Sequence, residues 1–134
     1  MIGININDTE APYTDMIMDG RKCFETGFRP TLRPFIGQRV AIIRTGKGKV
    51  EIVGTVQLLN EVWFGSFPFD ALRKYHCVPK GSKQDTKSGK WSYVLNDPQK
   101  LKKPVVIGAK CFTGNRTYRV LDGEIVNAMS GKGA

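Results

Sequence analysis

The chain has 134 residues, of which 40% are hydrophobic, and a formal net charge of +9. This length is enough to bury a core without disulfide staples, and the hydrophobic share excludes an intrinsically disordered chain. The first nineteen residues hold four acidic and no basic side chains, so the remainder carries twenty-one basic against eight acidic residues. We predict a single domain over residues 1–134. Its charge favours a polyanionic partner, although a soluble surface with spare lysines explains the charge equally well.

Short β-strands dominate the first half of the chain. Alternating isoleucines predict a half-buried strand over residues 2–6. A helix is predicted to begin at Pro12 and to end at Gly20, which can adopt the left-handed conformation. Residues 23–26 follow as an extended segment. The next two predicted strands, an antiparallel hairpin around a glycine-rich turn, are residues 40–44 and 51–59.

The second half begins with a predicted short helix over residues 67–76 and a polar loop over residues 80–90. That loop is rich in Lys, Ser and Gly, which predicts mobility. Residues 91–95 predict a strand, and Asp97-Pro98 a turn. The remaining predictions are a strand at 105–112, a hairpin around Asp122-Gly123 and a frayed tail at 130–134. This pattern predicts a small mixed sheet or barrel.

Two stretches of the sequence resemble the ASCH domain family, a branch of the PUA-like RNA-binding fold. Residues 20–25, Gly-Arg-Lys-Cys-Phe-Glu, are similar to the first part of the family's Gly-x-Lys-x-x-Glu-x-Arg element. Gly27 stands where the family has its arginine, and Arg29 follows two residues later. The second stretch is an aromatic strand at 91–95 that leads through Lys-Lys-Pro at 102–104 to Gly108.

The resemblance extends over residues 2–120 and implies a fold and a site. It implies an α+β, mostly β fold: a small PUA-like pseudo-barrel of mixed and antiparallel strands with one or two peripheral helices. Lys22 and Glu25 are then expected to open onto a ligand cleft. In a regular strand, residues three apart point to opposite faces, so the chain must bend for the two to converge. Without the resemblance, a surface ion pair would be the simpler interpretation.

Three classes of function remain open. The first is a domain that binds RNA or a modified nucleotide beside Lys22. The second is an enzyme in the same cleft. A metal-independent ribonuclease could use Glu25 as base, Lys22 as phosphate-binding cation and Tyr93 or His76 as acid. A family subgroup removes acetyl groups from N4-acetylcytidine, but it has Thr where this chain has Glu25. The third class is an adaptor that binds an acidic protein partner.

Candidate nucleic-acid contacts lie in the basic loop, in the Pro-punctuated segment after residue 27 and at a strand end. The basic side chains could contact phosphates, and an indole could stack on a base. Each has a plainer interpretation, as a solvated loop charge or as a core aromatic residue. The predicted contacts are Arg29, Arg44, Lys83, Lys87, Lys90 and Trp91.

The cysteines and the N-terminal sequence indicate the cellular compartment in which the protein is expected. The three cysteines lie far apart, which is typical of free thiols in a reducing compartment, and none has the short spacing of a zinc site. We therefore expect no metal and no cofactor. The sequence has neither a secretory signal nor an apolar run of membrane-spanning length, so we expect a cytoplasmic protein without a membrane partner. The sequence leaves the ligand and the oligomeric state open.

Overall fold

One mixed sheet organises the part of the chain that the computed structural model describes, residues 1–86 and 89–131. Within these residues the sheet has six strands in the order β2-β5-β4-β3-β1-β6. Neighbouring strands are antiparallel except for β1 and β3, which run parallel. The strands are β1 (Ile2–Asn7), β2 (Phe24–Gly27), β3 (Arg39–Thr45), β4 (Glu51–Phe64), β5 (Lys90–Val106) and β6 (Tyr118–Val120).

Short helices lie between and after these strands. They are α1 (Tyr13–Met18), α2 (Ser66–Ala71), α3 (Arg73–His76) and α4 (Gly123–Met129), with a 3₁₀ turn at Arg33–Phe35. About 40% of the chain is strand and 20% helix, and the sheet curls into a half-barrel. The predicted α+β, mostly β class is therefore confirmed. In the described residues no helix is both long and apolar enough to cross a bilayer.

The central strand β3 is covered on both faces, because successive side chains of a strand point to opposite sides of the sheet. Val40 and Ile42 face a cluster inside the half-barrel, whereas Ala41 and Ile43 face a second cluster on the outside. All four side chains are fully buried. Helix α1 covers the inner cluster through Ile17, and α4 covers the outer one. The predicted β3–β4 hairpin is confirmed.

The predicted break at Asp97-Pro98 is wrong, because β5 runs without interruption through both residues. Asp97 has a positive φ of 49° at an irregularity where the β4–β5 register shifts. Arg39 of β3 reaches this bulge across the intervening strand β4, donating to the Asp97 carbonyl oxygen at 3.1 Å and pairing with the Asp97 carboxylate. A bulge tolerates a proline that lacks an N–H donor. Local turn chemistry therefore bends this strand without ending it.

The predicted hairpin at Asp122-Gly123 is also wrong, since these residues begin α4. The Asp122 carboxylate accepts a hydrogen bond from the backbone N–H of Ile125 at 3.0 Å and so caps the helix. Asp-Gly favours both a tight hairpin and a helix start, and the sequence alone does not separate the two. Similarly, the predicted strand at 105–112 ends at Val106, and the predicted helix at 67–76 is divided at Leu72.

The sheet leaves an open seam between its two ends. Strand β6 pairs only with Ile2–Ile4 of β1, and the Asn5 N–H makes one further bond to the Thr117 carbonyl. Beyond Asn5, this edge of β1 has no strand partner among the described residues. At the other end of the sheet, β2 pairs with β5 alone within the same residues. The curl of the sheet brings these two edges to the walls of one cleft.

Gly54→Ala tests how closely β4 and β5 pack at the bulged register. A Cβ at Gly54 would lie 2.6 Å from the Gln99 carbonyl oxygen and against the Met18 sulfur. We expect the variant to lose at least ~2 kcal/mol of unfolding free energy in urea titrations, because backbone atoms cannot move aside cheaply. The control Gly123→Ala meets nothing within 4 Å at the start of α4 and should gain up to ~1 kcal/mol. Wild-type stability in Gly54→Ala would contradict this packing.

Candidate functional site

The open seam forms a cleft of about 700 Å³. One wall is the free edge of β1 with Asn5 and Asn7, and the other is β2 with the loop that follows it. The segment from Phe112 to Arg119 also contributes to the lining of the cleft, as do Tyr13 and Lys22. A volume of this size is typical of sites that bind small molecules and cofactors.

Lys22 is buried, with only 3% of its surface exposed to solvent. Gly20, with a φ of 83°, turns the chain after α1, so that the Lys22 backbone N–H donates to the Met16 carbonyl of that helix at 2.9 Å. The Lys22 ammonium donates a hydrogen bond to the backbone carbonyl of His76 and lies 5.1 Å from the centre of the Tyr13 ring. Burial lowers the pKa of Lys22, because desolvation penalises the charged form, and the negative charge of Glu25 opposes that shift.

Glu25 is the second ionisable group of the cleft wall, and it is half-buried. Its Oε2 atom is inaccessible to solvent and has no hydrogen-bond partner in the described structure. Burial raises the pKa of Glu25, and the positive charges of Lys22 and Lys90 oppose the shift. Lys22 and Glu25 influence each other through space without forming a direct ion pair. The alternative of a surface ion pair is therefore wrong, and the ammonium is held by the His76 carbonyl instead of by Glu25.

His76, whose backbone carbonyl accepts the hydrogen bond from Lys22, is fully buried. The Val78 N–H can only donate, so His76 Nδ1 is its acceptor at 2.9 Å, and Nε2 then donates to the Phe69 carbonyl at 2.6 Å. The His76 ring also stacks on Phe69 with ring centres 4.0 Å apart. Burial lowers the pKa of His76 to about 4. The ring is thus neutral at pH 7, and its hydrogen bonds fix the carbonyl that receives the Lys22 ammonium.

Tyr93 lines the cleft but its hydroxyl is already engaged. The Tyr93 hydroxyl donates to Glu61 Oε2 at 2.9 Å, and Glu61 in turn pairs with Arg33 at 2.8 Å. Burial raises the pKa of Tyr93 above its usual range, and the bond to Glu61 adds to that shift. A tyrosine in this state is a poor proton donor at neutral pH. Its catalytic role stays a prediction that this geometry does not favour.

Trp91, the predicted stacking platform, is half-buried and lies outside the residues described as lining the cleft. The Arg33 guanidinium lies 5.1 Å from the Trp91 ring centre, and the Trp63 ring packs edge-on at 5.2 Å. These two contacts occupy much of the Trp91 indole. Trp63 is 50% exposed and offers the more open indole surface of this pair.

The predicted phosphate contacts fall into different environments. Arg29 is exposed and lines the cleft, whereas Lys83 is exposed and its backbone N–H donates to the Glu10 carboxylate. Lys87 lies outside the described residues. Lys90 does not belong to an exposed loop, because it begins β5 and is fully buried. The Lys90 ammonium donates to Gln84 at 3.2 Å and lies 4.5 Å from the centre of the Phe28 ring.

Arg44 is surrounded by carboxylates. It pairs with Asp15 at 2.8 Å, with Asp8 at 3.4 Å and with Glu51 at 3.4 Å. It also donates to the Thr14 hydroxyl at 2.9 Å. A phosphate would have to displace these partners, so we leave Arg44 out of the candidate site. Two of the four acidic residues of the N-terminal segment, Asp8 and Asp15, thus pair with an arginine of the sheet.

Several cleft residues escaped the sequence analysis. Tyr13 is the ring beneath the Lys22 ammonium, and burial raises its pKa to about 12. Asn5, Arg116 and Arg119 also line the cleft. No spacing marks these residues, since the curled sheet brings them together from distant segments. Within the described residues, no group of three or more His, Cys, Asp or Glu side chains could hold a metal ion.

Comparison with solved structures identifies the fold. The ASCH protein from Zymomonas mobilis matches with a TM-score of 0.71 at 16% sequence identity, over 97% of this chain and 93% of that one. A variant of that protein with tyrosine replaced by phenylalanine matches with a TM-score of 0.68 at 18% identity, over 97% and 96% of the two chains. A hypothetical protein from Leishmania major matches with a TM-score of 0.58 at 10% identity, over 99% and 96%.

These similarities show that the chain has the fold of the ASCH protein along nearly its whole length. The fold implied by the sequence resemblance is thereby confirmed. No family model and no curated protein matches the sequence itself.

His76 should make the stability of the protein depend on pH. Its pKa is about 4 in the folded chain, below the ordinary 6.5, so the unfolded chain binds more protons between these values. The stability that neutral His76 contributes is present above pH 6.5 and is lost as the pH falls towards 4. Urea titrations at pH 7 and 4.5 should show a drop larger in wild type than in His76→Gln by about 2 kcal/mol. Equal drops in the two proteins would contradict the assigned neutral state.

Proposed function

We propose that this protein binds RNA or a nucleotide in the open seam beside Lys22. The observation that carries this proposal is that Lys22 and Glu25 both line a cleft of about 700 Å³, where Lys22 is buried and half-buried Glu25 has one inaccessible carboxylate oxygen. A burial of this kind is costly unless a partner uses the groups, and pairs of ionisable groups with perturbed pKa values cluster at functional sites.

The chemistry of the wall suits a nucleobase. The Lys22 ammonium donates, and the unpartnered Glu25 oxygen accepts, so the wall can meet a base edge that carries a carbonyl oxygen and an amino or imino group. The Tyr13 and Phe28 rings line the same cleft and provide apolar surface for a planar ligand. Exposed Arg29 at the cleft and the net charge of +9 favour an anionic ligand.

A hydrolase in the same cleft is the second candidate. The opposite pKa shifts of Lys22 and Glu25 favour it, because burial lowers the pKa of the amine and raises that of the carboxyl, and such perturbed pairs are typical of acid–base sites. Glu25 could then act as the general base and Lys22 could polarise a carbonyl or phosphoryl oxygen, as an amidohydrolase or a ribonuclease requires. Cleaved RNA or deacetylated N4-acetylcytidine, formed by wild type and absent with Glu25→Gln, would establish an enzyme over a binding domain.

Lys22→Met tests the binding proposal. Methionine keeps most of the side-chain volume and removes the charge, so we expect a folded protein with stability within ~1 kcal/mol of wild type. Its affinity for a short single-stranded RNA of mixed sequence, measured by fluorescence anisotropy, should fall at least about tenfold. The matched control is Lys102→Met, which makes the same change on an exposed part of β5. Wild-type affinity in Lys22→Met, or an equal loss in Lys102→Met, would contradict the proposal.

Salt provides a second test of the same binding. The logarithm of affinity should fall linearly with the logarithm of salt concentration, since phosphate contacts release counterions. Exposed basic side chains such as Arg29 and Lys83 would carry this dependence. An affinity that does not change with salt between low and physiological ionic strength would show that the protein makes no contacts with RNA phosphates.

A further inference from the structure

One end of the cleft carries its own set of unsatisfied polar groups, Asn5 Oδ1 and Arg119 Nε. Asn5, Phe112, Arg116 and Arg119 line this end. They belong to the free edge of β1, to β6 and to the segment that precedes β6. None of these side chains takes part in the hydrogen bonds that hold Lys22 or Glu25.

Asn5 offers a hydrogen-bond acceptor without a donor. Its side chain contacts the backbone carbonyl of Arg116 at 3.3 Å. A carbonyl can only accept, so the Asn5 amide nitrogen must face it and the Oδ1 atom is left over. That Oδ1 atom is buried and has no partner among the described residues. An acceptor left unsatisfied in this way is stabilised by a ligand that brings an O–H or N–H donor.

Arg119 offers the complementary group. The residue is only 6% exposed, and its Nη1 atom donates to the Gly108 carbonyl at 2.7 Å and to the Lys110 carbonyl at 2.9 Å. Its Nε atom is buried and has no partner in the described structure. The guanidinium carbon lies 5.4 Å from the centre of the Phe112 ring. Arg116 lines the same end with an exposed side chain. Two guanidinium groups at one site favour a phosphate.

We propose that this end of the cleft binds the sugar and phosphate of a ribonucleotide. The ribose 2′-hydroxyl donates to Asn5 Oδ1, and the phosphate oxygens accept hydrogen bonds from Arg116 and Arg119. This inference rests on the proposed binding of a nucleotide beside Lys22. A hydroxyl donor next to a phosphate is present in RNA and absent from DNA, so the juxtaposition of Asn5 with the two arginines selects RNA. A simple anion would leave the Asn5 acceptor unsatisfied.

Three oligonucleotides of one sequence test the sugar contact: RNA, DNA and 2′-fluoro RNA. The 2′-fluoro form has no hydroxyl donor, as in DNA, while keeping an electronegative substituent at the same position. Wild type should bind RNA about tenfold more tightly than either of the other two by fluorescence anisotropy, the ratio expected for one buried acceptor left unsatisfied. If 2′-fluoro RNA binds as tightly as RNA, the hydroxyl does not donate and the proposal is overturned.

Asn5→Ala should bind the three oligonucleotides with equal affinity, because the acceptor that distinguishes them is gone. The matched control is Asn7→Ala on the same edge of β1. Asn7 also lines the cleft, but its Oδ1 atom already accepts from the Thr9 N–H at 2.8 Å. The control should keep the preference for RNA. Loss of the preference in Asn7→Ala, or its retention in a folded Asn5→Ala, would overturn the assignment of the acceptor.

Arg116→Gln tests the phosphate contact separately. It should weaken RNA and DNA by the same factor and reduce the salt slope by about one, because a phosphate contact carries no information about the sugar. Unchanged affinity and salt slope would remove Arg116 from the site.

Nucleotide binding beside Lys22 and the ribose contact at Asn5 can fail separately. Equal binding of RNA and DNA by wild type, with both lost in Lys22→Met, would overturn the ribose contact and leave nucleotide binding intact. No binding of any oligonucleotide or of the free ribonucleoside 5′-monophosphates would overturn both. If Asn5→Ala does not fold, the comparison of RNA with 2′-fluoro RNA on wild type still decides the case.

Discussion

The site depends on one constraint: the curled sheet does not close into a barrel. Strand β6 pairs with only three residues of β1, and β2 pairs with β5 alone among the described residues. Two strand edges therefore face each other across a gap instead of bonding to each other. An open edge leaves backbone and side-chain polar groups without partners, which proteins normally avoid. Here the open edges form the walls of a cleft, and the buried ionisable groups lie along it.

The charges of the molecule divide into two sets with different roles. Arg44 near the end of strand β3 pairs with Asp8, Asp15 and Glu51, so these charges satisfy one another within the fold. In the cleft, by contrast, the Glu25 carboxylate and the Asn5 amide each retain a buried oxygen without a donor. Each such atom costs ~1–3 kcal/mol of folding free energy. The chain has enough arginine and lysine side chains to pair with Glu25. Its paired arginines nevertheless bind other carboxylates, and the Oε2 atom of Glu25 is left without a donor. A ligand with complementary groups would recover the free energy lost.

The sequence predicted those features whose cause is local. The β3–β4 hairpin follows from alternating apolar residues around a glycine-rich turn. The cleft beside Lys22 and Glu25 was expected from the resemblance to the ASCH family and not from the spacing of the two residues. Features produced by distant segments were not predictable. The His76 carbonyl that holds the Lys22 ammonium is 54 positions away in the chain, and no sequence pattern connects the two. Lys90 looked exposed from its basic neighbours, whereas Phe28 and Gln84 cover it in the fold. Asp122-Gly123 fits a hairpin or a helix start equally well, and only the packing of α4 on the outer cluster decides.

The central claim is that Lys22 is a desolvated lysine held beside Glu25 in the open seam. Its side-chain pKa can be measured directly by NMR titration of protein labelled with ¹³C and ¹⁵N in lysine, with Lys22→Met used to assign the resonance. The account predicts a pKa below the ordinary lysine value, because burial disfavours the charged form. In Glu25→Gln the Lys22 pKa should fall further, because the carboxylate that supports the ammonium is gone. A Lys22 pKa at or above the ordinary value, unchanged by Glu25→Gln, would show an exposed lysine and contradict the account.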